Sequence, residues 1–164
     1  MGKKVEEVKN KFIEMIGNLG ESLGLNRTTC QIYALLYIHS SPLSPTQIGK
    51  TLGISKGNVS INLRKLEEWN AVKKVWRKGY VRSLYKANEN IEEIIFQKLK
   101  TGIEKRTYQL EQSIKDIQNH LKKKDKKNDE ESKYIKKKIS EIEKLTKKIS
   151  AITKNFEYLK NFME

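Results

Sequence analysis

The chain has 164 residues and a formal net charge of +14. This length suits one globular module with an extended helical part, and the single cysteine, Cys30, excludes an internal disulfide. We interpret Cys30 as a buried small residue rather than a redox sensor. The residues MGKKVEEVKN lack the apolar region of a signal peptide, and no segment has the roughly 20 apolar residues of a transmembrane helix. We therefore expect a cytoplasmic protein without a membrane partner.

Two helices are predicted first. The first spans residues 3 to 23, where Gly20 and Gly24 weaken its end, and its apolar residues recur at spacings of three and four. These are Val5, Val8, Phe12, Met15 or Ile16, Leu19 and Leu23. The second helix is capped by Asn26 or Thr28 and presents one apolar face. That face carries Ile32, Leu35, Leu36 and His39.

A helix-turn-helix pattern follows. Ser44 can cap a short helix that starts at Pro45 and has Gln47 at its third position. Gly53 ends this helix because glycine tolerates the left-handed conformation of a tight turn. Ser55 is the next cap, for a helix that runs to about Trp69 or Asn70.

The two faces of this longer helix differ in chemistry. Val59, Leu63 and Leu66 share one face, which we predict to be buried. On the opposite face, Arg64 can reach guanine or phosphate, and Ile61 can meet a thymine methyl. The alternative is an ordinary solvated helix face. The turn and the hairpin that follows favour DNA contact.

The hairpin is a candidate wing. Residues 71–76 and 81–86 read as strands, with Val72, Val75, Leu84 and Tyr85 as packing residues and Gly79 in the turn. Basic residues at its tip can enter a minor groove or hold phosphates, although a solvated tip is the alternative. From Leu43 to Lys86 there are ten Lys or Arg residues and only two Glu residues. More than half of the net charge therefore lies on the candidate DNA reader.

The predicted DNA-binding residues lie on both helices and on the wing. They are Thr46, Ser55, Lys56, Gly57, Asn58, Ser60, Ile61, Arg64, Lys65, Arg77, Lys78, Tyr80 and Arg82. The chain lacks a Cys/His cluster, a glycine-rich phosphate loop and a nucleophile motif. We therefore predict no metal site, no cofactor and no enzymatic activity.

From residue 89 onward the sequence is helical and apolar residues recur in heptads. Phe96, Ile103, Leu110 and Ile117 repeat every seven residues, and Ile114 and Leu121 fill alternate positions. After the polar run KKKDKKNDEE, a second seam comprises Ile135, Ile142, Leu145, Ile149, Ile152, Phe156, Leu159 and Met163. A helical hairpin with a turn near 122–132 and one continuous helix both fit. Because such a seam needs another helix, we expect homodimerisation, with a folded-back monomer as the alternative.

Residues 20 to 90 resemble the GbsR branch of the MarR superfamily of winged helix-turn-helix regulators. The matching runs are GLNRTTCQIYALLYIHSSPLS, IGKTLGISKGNVSINLRKLEEW and VKKVWRKGYVRSLYKA. The segment Trp69-Asn70-Ala71 departs from the pattern, but asparagine can adopt the left-handed cap. The resemblance implies a homodimeric repressor that binds pseudo-palindromic operators. In some members of the branch a choline-like effector binds.

We accordingly predict a mainly α fold with a small β-wing and long coiled-coil-like dimerisation helices. The predicted regions are a dimerisation helix at 1–24, a winged helix-turn-helix DNA-binding domain at 25–88 and a dimerisation region at 89–164. The predicted partners are double-stranded DNA, a second copy of the chain and a quaternary ammonium effector. Tyr33, Tyr37, Trp69, Trp76 and Tyr85 supply the aromatic faces for the effector. The competing function is a non-specific architectural DNA-binding protein.

Overall fold

A computed structural model describes residues 2–79, 83–124 and 130–155. Within these ranges, the chain forms six helices and a two-stranded antiparallel sheet, which confirms the predicted fold class. The helices are α1 (Gly2–Ser22), α2 (Arg27–Ile38), α3 (Pro45–Leu52), α4 (Lys56–Glu68), α5 (Ile91–Lys124) and α6 (Glu130–Lys154). The strands are β1 (Val72–Val75) and β2 (Leu84–Ala87). The chain divides into two compact units, Met1–Phe96 and Gln97–Glu164, which are described separately.

Helix α2 lies at the centre of the first unit. Every residue from Thr29 to Leu36 except Gln31 is buried, so its buried surface is wider than the single face predicted. Asn26 caps the helix by accepting a hydrogen bond from the Thr29 backbone N–H at 2.9 Å. Helices α1, α3 and α4 and strand β2 all pack against α2. A helix surrounded in this way must be apolar on several faces.

Helix α1 buries only part of the predicted apolar stripe, since Phe12 and Ile16 are partly buried and pack against the core. Ile13, Gly17 and Gly20 are buried. A Cβ at Gly20 would lie 2.2 Å from Cys30 Sγ, so only glycine lets the two backbones come this close. Helix α1 ends at Ser22, next to the predicted end at residue 23, and Gly24 follows with a φ of 74°. The predicted apolar residues Val5, Val8, Met15 and Leu19 are exposed.

The two strands form the predicted hairpin. Val72 pairs with Ala87 and Val75 pairs with Leu84. Leu43 extends the sheet by a bridge to Tyr85, with backbone hydrogen bonds of 3.0 and 2.8 Å. The prediction for the connection from α4 is confirmed, because Asn70 has a φ of 53°.

The second unit contains two helical segments that run antiparallel. Gln118 Nε2 on α5 donates to Glu143 Oε2 on α6 at 3.0 Å. Nearer the connection, a shallow cavity is lined by Gln118, Leu121, Lys122, Lys136 and Ile139. Residues 125–129 of the predicted turn lie outside the described residues. Within the described part of this unit, the arrangement is therefore that of two adjacent antiparallel helices.

Among the residues of this unit that the structure describes, the buried positions are mostly threonines. They are Thr107, Ile114, Thr146 and Thr153. Each threonine hydroxyl donates to the carbonyl oxygen four residues earlier, so the buried oxygens have partners. Ile142, Leu145, Ile149 and Ile152, which form most of the predicted α6 seam, are exposed. Phe156, Leu159 and Met163 lie outside the described residues.

Candidate nucleic-acid interface

Local sequence signals determine the helix-turn-helix. Ser44 and Gln47 form a reciprocal capping box at the start of α3, and Pro45 is the first helical residue. Gly53 adopts the left-handed conformation with φ of 66° at the end of α3. The turn is tight against α3, because a Cβ at Gly49 would lie 2.9 Å from the Ile54 carbonyl oxygen. These features confirm the predicted turn and set the orientation of α4.

Helix α4 has one buried face and one exposed face. Val59, Leu63 and Leu66 are buried, as predicted. All the predicted DNA-binding residues of the helix-turn-helix are exposed: Thr46, Ser55, Lys56, Gly57, Asn58, Ser60, Ile61, Arg64 and Lys65. Those of α4 lie on the side of the helix away from the core. The structure thus brings basic, small polar and apolar side chains together on one outward surface.

Two of these residues also have internal hydrogen bonds. Ser55 Oγ accepts from the Asn58 backbone N–H at 3.2 Å and caps α4. Asn58 Oδ1 accepts from Asn62 Nδ2 at 2.6 Å. Asn62 is only 4% exposed and was not predicted as a site residue. Its signal in the sequence was an asparagine directly before Leu63, on the otherwise apolar inner side of α4.

The wing presents further exposed cations. Arg77 and Lys78 are exposed after β1, and Gly79 has a φ of 88°, which confirms its predicted role in the turn. The predicted residues Tyr80 and Arg82 lie outside the described residues. Trp76 is 83% exposed next to these cations. Trp76 is a predicted effector contact, and an indole directly before two basic residues also suits a nucleic-acid surface.

An ion pair joins helix α4 to strand β1 of the wing. Lys74 Nζ on β1 lies 2.9 Å from Glu67 Oε1 on α4, and this hydrogen bond raises the pKa of Lys74. The pair neutralises one of the two acidic residues between Leu43 and Lys86. The pair also uses one lysine, so the net excess of positive charge between Leu43 and Lys86 is unchanged.

The five aromatic residues predicted for an effector have different environments. Tyr33 and Tyr85 are buried, whereas Trp76 is exposed. The rings of Tyr33 and Tyr37 are tilted by 30° with centroids 5.8 Å apart, and the Tyr33 hydroxyl donates to the Asn88 carbonyl at 2.9 Å. Burial raises the pKa of Tyr33 to about 12. Tyr33 and Tyr85 therefore contribute to the core of the first unit.

Metal sites and membrane-spanning helices are absent from the described residues. Among residues 2–79, 83–124 and 130–155, no group of three or more His, Cys, Asp or Glu side chains could hold a metal ion. None of the helices in the described part of the chain is long and apolar enough to cross a membrane.

The helix-turn-helix is similar in sequence to known regulators. Residues 23–75 match the MarR family model. YvaV of Bacillus subtilis (strain 168), named as a putative HTH-type transcriptional regulator, is 26% identical over 86 residues, covering 52% of this chain and 49% of YvaV. OpcR of the same organism, named as an HTH-type transcriptional repressor, is 23% identical over 86 residues, covering 52% and 46%. The chain spans about half the length of the curated relatives it matches.

Solved structures show only distant likeness. A transcriptional regulator crystal structure has a TM-score of 0.47 at 16% identity and covers 92% of this chain and 98% of that one. A single-residue mutant of MepR from S. aureus, bound to an oligodeoxyribonucleotide, has a TM-score of 0.42 at 14% identity and covers 85% and 91%. TM-scores below 0.5 carry no further information about the fold of this chain. The segment that matches the MarR family model contains helices α2, α3 and α4 and strand β1.

Proposed function

We propose that the protein is a homodimeric, sequence-specific transcriptional regulator that acts as a repressor and belongs to the GbsR branch. The observation that carries this proposal is the outward face of α4. Its position is set by a buried inner face and a tight turn, and its exposed residues include Lys56, Ile61 and Arg64. An ordered helix with this face suits readout of bases in a major groove.

The exposed side chains divide into base contacts and backbone contacts. Arg64 and Ile61 lie on the central part of α4, where Arg64 contacts guanine or phosphate and Ile61 meets a thymine methyl. Lys56 at the helix start binds phosphate. Arg77 and Lys78 place the wing on the minor groove or on the DNA backbone.

Uncovered apolar surface supports the homodimer. Helix α1 exposes Val5, Val8, Met15 and Leu19, and helix α6 exposes Ile142, Leu145, Ile149 and Ile152. Stripes of this kind are stabilised when another helix covers them. In the proposal, residues 1–24 and 89–164 are the dimerisation regions, and residues 25–88 are the DNA-binding domain. A dimer presents two copies of α4 to major grooves about 34 Å apart.

The regulatory part of the proposal has separate support. Repression is supported by the name of OpcR, to which half of this chain is similar. A quaternary ammonium effector is supported by the aromatic row of Phe12, Tyr37 and Tyr33, with centroid distances of 6.3 and 5.8 Å. Tyr37 is the exposed member of this row. Calorimetry with choline and glycine betaine tests the effector, and the absence of binding heat would exclude these two ligands.

The DNA-binding proposal is tested by fluorescence anisotropy. Duplex DNA from upstream of the protein's own gene is compared with a shuffled duplex at two salt concentrations. A preference for the upstream DNA that persists at the higher salt concentration is expected. Equal affinities that fall together with salt would instead support a non-specific architectural protein.

Three variants assign the contacts. Arg64→Ala is expected to weaken operator binding by about 1–3 kcal/mol and to relax base preference. Lys78→Ala is expected to weaken binding to all sequences alike and to lower the salt slope by about one. Lys115→Ala, an exposed lysine on α5, removes the same charge and is the control expected to change little. Equal losses on operator and random DNA from Arg64→Ala would contradict its base-reading role.

Light scattering at micromolar concentration tests the dimer. The native protein is expected to have the mass of two chains, and Leu145→Ser is expected to shift it toward one. Lys144→Ser places the same small polar residue at the neighbouring position and is expected to leave the mass unchanged. A monomer mass for the native protein would overturn the dimerisation proposal.

A further inference from the structure

A buried hydrogen-bond network reaches the DNA-facing surface of α4. Thr29 on α2 and Asn62 on α4 are almost fully buried. The Thr29 hydroxyl donates to Asn62 Oδ1, which joins the two helices. All the buried side-chain oxygen and nitrogen atoms of the described residues have hydrogen-bond partners. A buried polar pair of this kind costs stability when either partner is lost, so its geometry is strongly constrained.

The orientation of the Asn62 amide follows from a backbone group. Its nitrogen lies 2.8 Å from the Asn58 carbonyl oxygen. A carbonyl oxygen can only accept, so Nδ2 and not Oδ1 of Asn62 must face it. The reversed amide would place two oxygens against each other and would leave Asn62 Nδ2 facing the Thr29 hydroxyl. The buried side chain of Asn62 therefore has one favoured orientation.

This orientation determines that of Asn58 on the surface. The second N–H of Asn62 points to the Asn58 side chain and lies 2.6 Å, nitrogen to oxygen, from Oδ1. Asn58 must offer its oxygen to this donor, so its own Nδ2 is directed away from Asn62. Asn58 is exposed, and none of its described hydrogen bonds uses Nδ2. The group that Asn58 offers to a ligand is consequently a hydrogen-bond donor.

We propose that Asn62, without touching DNA, is a specificity-determining positioning residue that makes Asn58 a donor-only base contact. The inference rests on the proposed reading of DNA by α4. A bidentate contact of asparagine with adenine uses Nδ2 as donor to N7 and Oδ1 as acceptor from N6. Because Asn62 holds one lone pair of Asn58 Oδ1, the bidentate contact with adenine is disfavoured. Asn58 instead donates from Nδ2 to a single major-groove acceptor, guanine O6 or N7 or thymine O4, since donation to adenine N7 alone leaves the neighbouring N6 donor without a partner.

The network extends to the start of α2. Asn26 Oδ1 caps that helix and also lies 3.1 Å from the Thr29 hydroxyl. Since the Thr29 hydroxyl has one hydrogen, its donation to Asn62 leaves the α2 cap to the Thr29 backbone N–H. The same threonine thus stabilises the start of α2 and the inner side of α4. This rigid support distinguishes Asn58 from a freely rotating surface asparagine.

The test compares base preferences in a library of operators with every position varied. Asn58→Ala identifies the contacted position, where the native preference for guanine or thymine is expected to disappear. The double variant Thr29→Val/Asn62→Leu replaces both buried polar groups by apolar groups of similar shape, which limits the loss of stability. It retains Asn58 but frees its amide. At the identified position, adenine is expected to gain about tenfold relative to guanine or thymine.

Three outcomes overturn the inference, and they are distinguishable. A native protein without any sequence preference would contradict the proposed function itself. An Asn58→Ala variant that weakens all sequences alike would place Asn58 on phosphate. A double variant that keeps the native preference, while Asn58→Ala loses it, would show that Asn62 does not orient Asn58.

A second measurement uses only the native protein in case the double variant does not fold. Where the identified base is guanine, replacement by 7-deazaguanine removes the N7 acceptor. Where it is thymine, replacement by a base without O4 removes that acceptor. Binding is expected to weaken several-fold in either case. Unchanged affinity with the acceptor removed, or a native preference for adenine at that position, would overturn the donor-only contact.

Discussion

The first unit and the second unit treat their apolar residues in opposite ways. In the first, Ile32, Ile48, Leu63 and Leu84 are almost completely buried between helices and sheet. In the second, the buried positions are mainly threonines, while leucines and isoleucines of α6 are exposed. The first unit therefore contains its own core. The second leaves its strongest apolar surface available for another helix.

The difference shows that a heptad pattern does not specify which helix covers it. The α6 residues at spacings of three and four define one stripe, and the buried threonines Thr146 and Thr153 define another. Threonine costs less to bury here because each hydroxyl donates to a carbonyl within its own helix. The more apolar stripe remains for an intermolecular contact, which is the basis of the proposed dimer.

The largest expected effect comes from truncating matched leucines in the two units. Leu63→Ala is expected to lower the free energy of unfolding by about 2–5 kcal/mol, because it leaves a cavity in the core. Leu145 is 52% exposed, so Leu145→Ala is expected instead to raise the dimer dissociation constant by about tenfold. Urea denaturation at several protein concentrations and analytical ultracentrifugation measure the two effects.

Concentration dependence separates the two substitutions. The loss from Leu63→Ala should be the same at every protein concentration, since its contacts are within one chain. The effect of Leu145→Ala should grow as the protein is diluted. A Leu145→Ala variant that unfolds early at all concentrations would contradict the contrast between the two units.

A smaller effect on the free energy of unfolding is expected when a single methyl group is added at Gly20, with Gly57 as the control position. Gly20→Ala is expected to lower the free energy of unfolding by about 1–3 kcal/mol, because the new Cβ would clash with Cys30. Gly57→Ala is the control, since nothing lies within 4 Å of its Cβ position. The control is expected to leave stability unchanged or to raise it by up to about 1 kcal/mol. Thermal denaturation measures both, and equal stability of the two variants would contradict the close approach of α1 to α2.

The reactivity of Cys30 tests the close approach of α1 to α2 in the native sequence. Burial raises the pKa of the thiol, so the reactive thiolate is less populated near neutral pH than in an exposed cysteine. Alkylation of the folded protein is expected to be slow and to accelerate as pH rises toward that pKa. The urea-unfolded protein is the reference. Equally fast alkylation of both states would show that α1 does not protect α2.

Much of the helix-turn-helix was predictable because its signals are local. Ser44, Gln47, Gly53 and Ser55 act on backbone groups within a few residues of themselves, so their caps and turn follow from spacing alone. Asn70 likewise adopts the predicted left-handed cap. The assignment of individual DNA contacts stays a prediction.

The buried stripes and the Asn62 network were less accessible because they depend on distant contacts. Gly20 is explained only by the position of Cys30 on the next helix. Asn62 gains its role from Thr29 on another helix. Periodicity identifies the faces of a helix, but it does not identify which face meets which neighbour.

The sequence by itself determined the order of helices, the caps, the tight turn, the wing and the concentration of positive charge. These depend on residue type and short spacing, which are visible in one chain. Tertiary packing determines which side chains of α1 and of α6 are buried. It also determines which amide atom of Asn58 faces away from Asn62. These outcomes depend on close backbone approach and on hydrogen bonds between helices, which become defined only when the helices pack together.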